Sequence, residues 1–285
     1  MKIVYNPDEM KNLCLTYRKA GSTIGLVPTM GALHAGHLSL LTAIQKQCDV
    51  SVMSIFVNPA QFGPNEDFSK YPRPFEADCA LAEENGCDIV FAPKPEAMYP
   101  QHYATYIDVE NITGKLCGMS RPGHFRGVTT VVLKFFNIIM PHAAIFGQKD
   151  AQQVIVLKRM ATDLNCSVNI LVAPIVRESD GLAMSSRNRY LTPDEHRAAL
   201  ALHKGLAAAE KLYAGGERTA KTLVAAVSAS LLKSDLIVPE YIEITDIVSL
   251  EAQTQLTDAA LLALAVRTRE TKTRLIDNTV LGGCL

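Results

Sequence analysis

Two histidines lie close together in the segment His34-Ala35-Gly36-His37, which follows a largely apolar run from Leu26 to Met30 and a glycine, Gly31. The pattern predicts a buried strand, a glycine turn and a helix that begins at the histidines. A helix start offers unpaired backbone N–H groups and a partial positive charge, and both suit phosphate. Histidines at this spacing share one helix face, so both imidazoles can reach the same phosphate chain. We therefore interpret the segment as a binding site for a nucleoside triphosphate.

A histidine pair of this kind is also compatible with two different roles. Two packed or surface histidines would show the same spacing, and so would two ligands of a metal ion. The glycine Gly36 and the preceding strand and turn favour the nucleotide, because small residues let it approach the backbone closely.

The composition describes a globular chain without a general basic character. Of its 285 residues, 48% are hydrophobic, which is enough for a sizeable core in one large domain or two ordinary ones. Lysine and arginine together number 28, against 29 aspartates and glutamates, and the formal net charge is −1. This balance argues against nucleic acid as the main partner, whereas a few well-placed donors still suffice to bind phosphate.

The seven cysteines are scattered over positions 14, 48, 79, 87, 117, 166 and 284, and no Cys-x-x-Cys pair occurs. An odd and dispersed set predicts reduced thiols rather than a disulfide framework or a structural zinc site. The first residues lack the apolar core of a signal peptide, and the longest clear apolar run, residues 259–266, is too short to span a bilayer. We expect a cytoplasmic protein with no membrane partner.

Strand-like and helix-like segments alternate over about the first 175 residues. The predicted strands are residues 23–29, 50–57, 88–92, 143–146 and 168–172, and the predicted helices are residues 38–47, 75–85, 128–140 and 152–164. Runs this apolar suit a sheet covered on both faces, and the alternation predicts a doubly wound, Rossmann-like parallel sheet over residues 1–176. Ligands bind such sheets beyond the carboxyl ends of the strands.

The composition changes after about residue 177, and we expect a smaller α+β domain over residues 177–285. A helix is predicted over Pro193–Ala214, because Thr192 is a good N-cap residue and Glu195 completes a capping box. A second helix is predicted over residues 219–233. Residues 241–247 and 260–267 have strand-like patterns, although the second pattern also fits a helix.

Asn58 and Gln61 follow the second strong strand and offer neutral donors and acceptors at its end. They can orient a small polar substrate without a charged partner. The same amides can instead satisfy the backbone of their own loop, which is the more common role of such residues. The following segment, residues 63–74, is rich in proline and polar residues, and we expect it to be a mobile lid over the site.

Arg121, His124 and Arg126 stand around two glycines just before a predicted helix. They can form a cluster of donors for phosphate or carboxylate. A solvated charged turn accounts for the same residues equally well.

Two later segments also carry groups that suit a triphosphate. Lys149 can meet phosphate oxygens as a mobile charge, Asp150 can bind a ribose hydroxyl or a metal-bound water, and Gln153 would face the same pocket one turn later. A helix cap with a surface lysine accounts for Asp150 but not for the whole set. The run Ser185-Ser186-Arg187 offers two hydroxyls and a guanidinium, although such a run is more often a serine-rich turn than a site.

Together these segments resemble the pantothenate synthetase (pantoate–β-alanine ligase) family over nearly the whole chain. The His-x-Gly-His segment also resembles the signature of the adenylyl-transferring superfamily that includes class I aminoacyl-tRNA synthetases. Met184 to Arg187 is similar to that superfamily's Lys-Met-Ser-Lys-Ser loop, with Ser186 and Arg187 where the synthetases carry lysine and serine. Gln148 stands where some relatives have glutamate. The matching segments are residues 28–37, 58–62, 121–127, 147–153 and 184–188.

The resemblance implies roles for individual residues. The implied catalytic residues are His37, His34, Lys149, Ser186 and Arg187. The implied ATP-binding residues are Met30, Gly31, Ala32, Leu33, His34, Ala35, Gly36, His37, Gly147, Gln148, Lys149, Asp150, Val176, Met184, Ser185, Ser186 and Arg187. The implied pantoate-binding residues are Gln61, Gln153 and Asn58, and Gln61 also serves β-alanine. The family further implies Mg²⁺ on the phosphate oxygens and a homodimer formed through the first domain.

The implied reaction is a two-step ligation of pantoate and β-alanine through a pantoyl adenylate, with release of pyrophosphate and then AMP. One rival is a nucleotidyltransferase of the same superfamily that releases a stable adenylylated product, which the fold alone cannot separate from the ligase. A second is a metal hydrolase that uses His34 and His37, for which the sequence offers no third ligand at convincing spacing. A third is a nucleotide sensor without catalysis.

Overall fold

A computed structural model describes residues 1–64 and 66–285. The strands are β1 Lys2–Val4, β2 Ile24–Thr29, β3 Val50–Ile55, β4 Ile89–Phe91, β5 Ala143–Gly147, β6 Asn169–Ala173, β7 Ile237–Asp246, β8 Ala260–Thr268 and β9 Arg274–Leu281. The helices are α1 Pro7–Lys19, α2 Ala35–Gln45, α3 Phe75–Glu84, α4 Pro95–Met98, α5 Cys117–Ser120, α6 His124–Ile139, α7 Ala151–Asp163, α8 Pro193–Ala214 and α9 Ala220–Leu231. Short 3₁₀ turns lie at Pro59–Gln61, Gln148–Asp150 and Ser186–Tyr190.

The first sheet is parallel, with the strand order β1-β4-β3-β2-β5-β6. From β2 the chain builds outward in one direction through β3 and β4, and later in the other direction through β5 and β6. The order therefore reverses between β2 and β5, which is where such sheets bind ligands. The predicted doubly wound parallel sheet is confirmed.

The second sheet is antiparallel, in the order β7-β8-β9. Its middle strand settles the ambiguity at residues 260–267, which form a strand with a partner on each side. All residues of β8 except Arg267 are buried, so both faces of the strand are covered and the sequence shows no alternation. The predicted smaller α+β fold is confirmed.

Five elements are not indicated by the sequence pattern: β1, α1, β9 and the four-residue helices α4 and α5. The strand β1 is a three-residue edge strand, and α1 buries only Met10 and Cys14, so neither has a strong apolar pattern. The strand β9 contains Asp277 and Asn278, residue types that are depleted in strands. Both side chains are nevertheless buried.

The chain divides into two compact units. The first contains residues Met1–Gly114, Gly118–Gly147 and Val156–Ala173, and the second contains Lys115–Cys117, Gln148–Ile155 and Pro174–Leu285. The first unit contains the parallel sheet, and a core that includes Leu41, Ile44 and Met53 lies on α2 and β3. In the second unit α8 and α9 pack with the antiparallel sheet through a core that includes Leu206 and Val227.

The helix α8 begins as the sequence predicts. The Thr192 side chain accepts a hydrogen bond from the backbone of Glu195, and the Glu195 carboxylate accepts one from the backbone of Thr192, which is a capping box. The same carboxylate, which is fully buried, accepts bonds from the backbone N–H groups of Glu270 (2.8 Å) and Thr271 (3.0 Å). Burial alone would raise the pKa of Glu195, but the hydrogen bonds from Thr271 and Glu270 outweigh it and lower the pKa to about 2.

This buried carboxylate predicts a specific acid sensitivity. A glutamate in an unfolded chain titrates near 4.5, so between about pH 4.5 and 2 the unfolded chain binds a proton that folded Glu195 does not bind. Its contribution is therefore complete above that range and is lost as the pH falls through it. We expect Glu195→Gln to lower the free energy of unfolding by about 1–3 kcal/mol at pH 7 and to flatten its decline in acid. Urea unfolding between pH 2.5 and 7 measures both effects.

The control for this measurement is Glu210→Gln, since Glu210 is exposed on the same helix. The control should reproduce the wild-type decline in acid. A Glu195→Gln protein with the full wild-type decline would show that another group is responsible.

The cysteines follow the predicted thiol pattern. In the described residues no two of them are joined, and Cys14, Cys79, Cys87 and Cys117 are buried whereas Cys284 is exposed. Burial raises the pKa of Cys14 to about 12 and that of Cys87 to about 11. The helices of the described residues include none with the length and apolar character needed to cross a bilayer.

Candidate functional site

The turn after β2 is built on a buried carboxylate. Asp78, from α3, accepts hydrogen bonds from the backbone N–H groups of Ala32 and Leu33, each at 2.7 Å. Gly31 adopts a left-handed conformation (φ +81°), and a Cβ there would lie 2.8 Å from an Asp78 oxygen. Only glycine therefore fits, because a side chain would meet both strain and a steric clash. The turn carries residues Met30–Leu33 to the start of α2.

We expect Asp78→Asn to loosen this turn. An amide has one oxygen, so one of the two backbone N–H groups would face an NH₂ group instead of an acceptor. The free energy of unfolding should fall by about 2 kcal/mol, and turnover should fall with it, because the turn positions the histidines. Thermal unfolding and steady-state kinetics measure these effects. An Asp78→Asn protein with wild-type stability would contradict the role of the carboxylate.

The two histidines at the start of α2 are fixed by the backbone. His34 is the N-cap residue, and its Nδ1 accepts the N–H of Gly36 at 3.1 Å. The Nδ1 atom of His37 accepts the N–H of His34 at 3.3 Å. The ring centroids are 4.0 Å apart. An Nδ1 atom that accepts a hydrogen bond carries no proton, so each neutral imidazole holds its proton on Nε2.

This arrangement places a pair of Nε2–H donors at the positive end of a helix. The helix dipole and the donors together suit an anion. The site also lies at the carboxyl end of β2, next to the reversal of strand order between β2 and β5. Both observations support the predicted phosphate site.

The Asn58 side chain is buried, and its hydrogen bonds are all made within the protein. Its Oδ1 accepts from the Tyr99 hydroxyl (2.7 Å) and from the backbone of Ala60 (3.3 Å). Its Nδ2 donates to the backbone oxygen of Gly127 and to the Gln61 Oε1, each at 3.0 Å. A primary amide has no further donor to offer, so Asn58 positions Gln61.

The Gln61 NH₂ group keeps donor capacity, because only a weak acceptor bonds it within the protein. The side-chain oxygen of Gln61 is used by Asn58, and its Nε2 lies 3.1 Å from the Met30 sulfur, a weak acceptor. The structure thus brings together Gln61, a predicted pantoate-binding residue, and Met30, a predicted ATP-binding residue. Gly127 permits this arrangement, since a Cβ there would lie 2.2 Å from the backbone oxygen of Ala60 and 2.6 Å from the Gln61 Cα.

Arg121 and His124 hold the main chain of Gln61. Arg121 forms a two-pronged ion pair with Glu66, with N–O distances of 2.7 and 2.6 Å. Burial would raise the pKa of Glu66, but the hydrogen bonds and charge of Arg121 outweigh it and lower that pKa. Of the predicted donor cluster, Arg121 is therefore engaged with a carboxylate of the protein itself, and Arg126 lies over the Tyr106 ring.

The tautomer of His124 follows from its partners. A carbonyl oxygen can only accept, so the His124 Nδ1 donates to the backbone oxygen of Gln61 at 2.8 Å. Arginine can only donate, so the His124 Nε2 accepts from Arg121 at 3.0 Å. His124 is therefore neutral in this arrangement.

The second unit contains the remaining predicted ATP-binding residues, apart from Gly147, which ends β5 in the first unit. The backbone oxygen of Val176 accepts the N–H of Met184 at 3.0 Å, which joins two of the predicted segments. Ser185 caps the 3₁₀ turn that contains Ser186 and Arg187. Ser186 is buried, and Arg187 is half-buried.

The turn Gln148–Asp150 and Gln153, at the start of α7, also belong to the second unit. Lys149 is half-buried and Asp150 is exposed. Within residues 1–64 and 66–285, the Lys149 ammonium makes no hydrogen bond or ion pair. The predicted lid at residues 63–74 includes position 65, which lies outside the described residues, and the lid stays a prediction.

In the described part of the chain, the two histidines lack a third ligand for a metal ion. The group of histidine, cysteine and acidic side chains that lie close enough together to share an ion there is Glu178, Asp180 and His196. It includes neither His34 nor His37. The metal hydrolase is therefore not supported.

The sequence matches the model of the pantoate-beta-alanine ligase family over residues 2–280. The chain belongs to the pantoate–β-alanine ligase family. A pantothenate synthetase from Pelotomaculum thermopropionicum is 54% identical over 265 residues, which cover 93% of each chain. The members of this family are ligases, so the chain is assigned to that class of enzyme.

Solved structures of the pantoate–β-alanine ligase family share the fold. A pantothenate synthetase from Thermus thermophilus has a TM-score of 0.93 at 38% identity, covering 99% of this chain and 100% of that chain. A pantoate-beta-alanine ligase from Francisella tularensis, complexed with beta-gamma ATP and beta-alanine, has a TM-score of 0.78 at 32% identity, covering 98% and 97%. The predicted family is confirmed.

Two residues of this site were missed by sequence reasoning. Asp78 lies on a helix far along the chain from the turn it supports, and Tyr99 lies 41 positions from Asn58. Neither has a local pattern that indicates its partner. The signal that could have found them is the demand of buried backbone N–H and amide groups for partners, which only the fold identifies.

Proposed function

We propose that this chain joins pantoate and β-alanine to form pantothenate, with conversion of ATP to AMP and pyrophosphate. The observation that carries the proposal is the helix start in the first unit, where the backbone fixes His34 and His37 as Nε2–H donors. Such donors suit a triphosphate. The Francisella tularensis relative, solved with beta-gamma ATP and beta-alanine, supports the same substrates.

The proposed reaction has two steps. A pantoate carboxylate oxygen attacks the α-phosphorus of ATP, the bond to the bridging oxygen breaks, and pyrophosphate leaves. The β-alanine nitrogen then attacks the acyl carbon of pantoyl adenylate, the bond between that carbon and the AMP oxygen breaks, and the nitrogen loses a proton. No nucleophile from the protein is required. Catalysis is therefore a matter of position and of charge on the phosphates.

The residues of the first unit have distinct roles in this proposal. His34 and His37 donate hydrogen bonds from Nε2 to phosphate oxygens. Gln61 donates from its NH₂ group to the pantoate carboxylate or hydroxyl, and then serves β-alanine. Asn58, whose own hydrogen bonds are used, acts on pantoate through Gln61.

The residues of the second unit act on the nucleotide and on pantoate. Lys149, Ser186 and Arg187 stabilise charge on the phosphates, and the backbone of Val176 holds adenine. Gln153 binds pantoate. The remaining proposed ATP contacts are Met30–Gly36, Gly147, Gln148, Asp150, Met184 and Ser185. In this scheme residues 1–176 form the domain for ATP and pantoate, and residues 177–285 carry the Met-Ser-Ser-Arg loop.

Mg²⁺ would bind together with the phosphates of ATP. Mg²⁺ prefers oxygen ligands, and both Asp78 oxygens near the helix start already accept backbone N–H groups. The exposed Asp150 carboxylate remains as an oxygen donor among the proposed ATP contacts. When bound, the ion would neutralise charge on the phosphate oxygens. We further propose a cytoplasmic homodimer formed through the first domain, which sedimentation of the purified protein tests.

The decisive experiment separates the ligase from its nucleotidyltransferase rival. Mass spectrometry of the protein with ATP, Mg²⁺ and pantoate should detect pantoyl adenylate, and addition of β-alanine should release AMP and form pantothenate. A stable adenylylated product that β-alanine does not consume would favour the rival. Absence of any pantoate-dependent pyrophosphate would favour a nucleotide sensor.

A further inference from the structure

Two adjacent side chains of β9, Asp277 and Asn278, are buried at 2% and 4% exposure. Buried acidic and amide groups require hydrogen-bond partners. Neither belongs to the predicted site, and neighbouring residues of a strand project to opposite faces. Asn278 bonds the turn that contains Lys149, and Asp277 bonds Arg177, which lies between Val176 and the Met184–Arg187 segment, all within the second unit.

Asn278 binds the turn that contains Lys149. Its Nδ2 donates to the backbone oxygens of Gln148 and Lys149, each at 3.0 Å. Its Oδ1 accepts from the Gln148 side chain at 3.3 Å. Two carbonyl oxygens can only accept, so the orientation of the Asn278 amide is fixed, and the turn is fixed by it.

Asp277 binds the hairpin that leads to the Met-Ser-Ser-Arg loop. Its oxygens accept two hydrogen bonds from Arg177, at 2.6 and 3.0 Å. The same guanidinium donates to the backbone oxygen of Gly181 at 3.2 Å, which closes the hairpin. Arg177 directly follows Val176, whose backbone bonds Met184, so the ion pair holds both ends of this segment.

We infer that Asp277 and Asn278 are positioning residues, which hold Lys149 and the Met184–Arg187 segment in the arrangement that ATP requires. The inference rests on the proposed function, because it takes those two segments as ATP contacts. A lysine ammonium on a flexible stem is a poor anchor by itself. Fixing its backbone reduces the freedom that ATP must otherwise remove on binding.

The first test is Asn278→Ala, which leaves two carbonyl oxygens without their donor. We expect the KM and the Kd for ATP to rise by about 10- to 100-fold. The matched control is Thr279→Val, on the same strand, which should leave both constants within about twofold of wild type. ATP binding is measured without pantoate, so a wild-type protein that binds ATP but makes no pantothenate overturns the proposed function and not this inference.

A double-mutant cycle distinguishes positioning from general stability. If Asn278 acts through Lys149, the double variant will lose less binding free energy for ATP than the sum of the losses in Asn278→Ala and Lys149→Ala. Independent effects would give the full sum. Asn278→Ser keeps one donor and should recover part of the affinity, and it replaces the alanine variant if that fails to fold. Wild-type ATP constants in these variants, or a fully additive cycle, would overturn the inference.

A separate variant tests the part of the inference that concerns Asp277. Asp277→Asn keeps the shape but leaves one acceptor for the two Arg177 donors. We expect a smaller rise in the Kd for ATP, about threefold to tenfold. When Asp277→Asn is combined with Ser186→Ala, the loss of binding free energy should be less than the sum of the two single losses. An Asp277→Asn protein with unchanged ATP affinity would remove Asp277 from the proposal.

Discussion

We expect His37→Asn to lower turnover by a factor of about 10²–10³ while leaving the protein folded. The Asn oxygen can occupy the place of Nδ1 and accept the His34 N–H, so the helix start keeps its hydrogen bond. The Nε2–H donor has no counterpart in asparagine, so the phosphate loses its partner. Steady-state kinetics and thermal unfolding measure the two parts separately.

The complementary variant is His37→Gln. Glutamine can place its NH₂ group near the position of Nε2 but cannot accept at Nδ1. This protein should lose about 1 kcal/mol of unfolding free energy and retain more turnover than His37→Asn. The reverse order, with the asparagine variant the more active, would show that capping rather than phosphate contact is the main role of His37.

A loss of similar size is expected for Lys149→Ala, and it should be confined to the first chemical step. Lys149 is proposed to act on the triphosphate, so formation of pantoyl adenylate should slow by about 10²–10³. When chemically prepared pantoyl adenylate and β-alanine are supplied, the second step should run near the wild-type rate. Release of pyrophosphate measures the rate of the first step, and formation of pantothenate measures the rate of the second.

The control for this experiment is Lys204→Ala, which removes an exposed lysine of α8 and the same charge. Its first step should be unaffected. Equal slowing of both steps in Lys149→Ala would contradict a role limited to the phosphates.

The strands of the parallel sheet other than β1 were predictable because their sequence patterns are local. Continuous apolar runs marked β2 and β3, and the cap at Thr192 placed the start of α8 at the residue observed. The strand β9 was not predictable. Its buried Asp277 and Asn278 look like turn residues until their partners, which are distant in the chain, are known.

The candidate site shows the same division. The residue types at His34, His37 and Lys149 and their order along the chain indicated phosphate chemistry. The sequence could not show that the Asn58 side chain is hydrogen-bonded to Gln61 and Tyr99, since an asparagine is written the same way whether or not its amide is bonded. It also could not show that Arg121 is paired with Glu66. Partners of polar groups depend on tertiary contacts, which no local pattern contains.

The burial of the thiols has a practical consequence for measuring the kinetics. Maleimides react with thiolates, and the raised pKa values of Cys14 and Cys87 keep these groups protonated at neutral pH. A dye will therefore attach to the exposed Cys284 before it reaches either of them. Cys284 lies just beyond the end of β9, so its thiol offers an attachment point for a fluorescent dye next to the strand that carries Asp277 and Asn278.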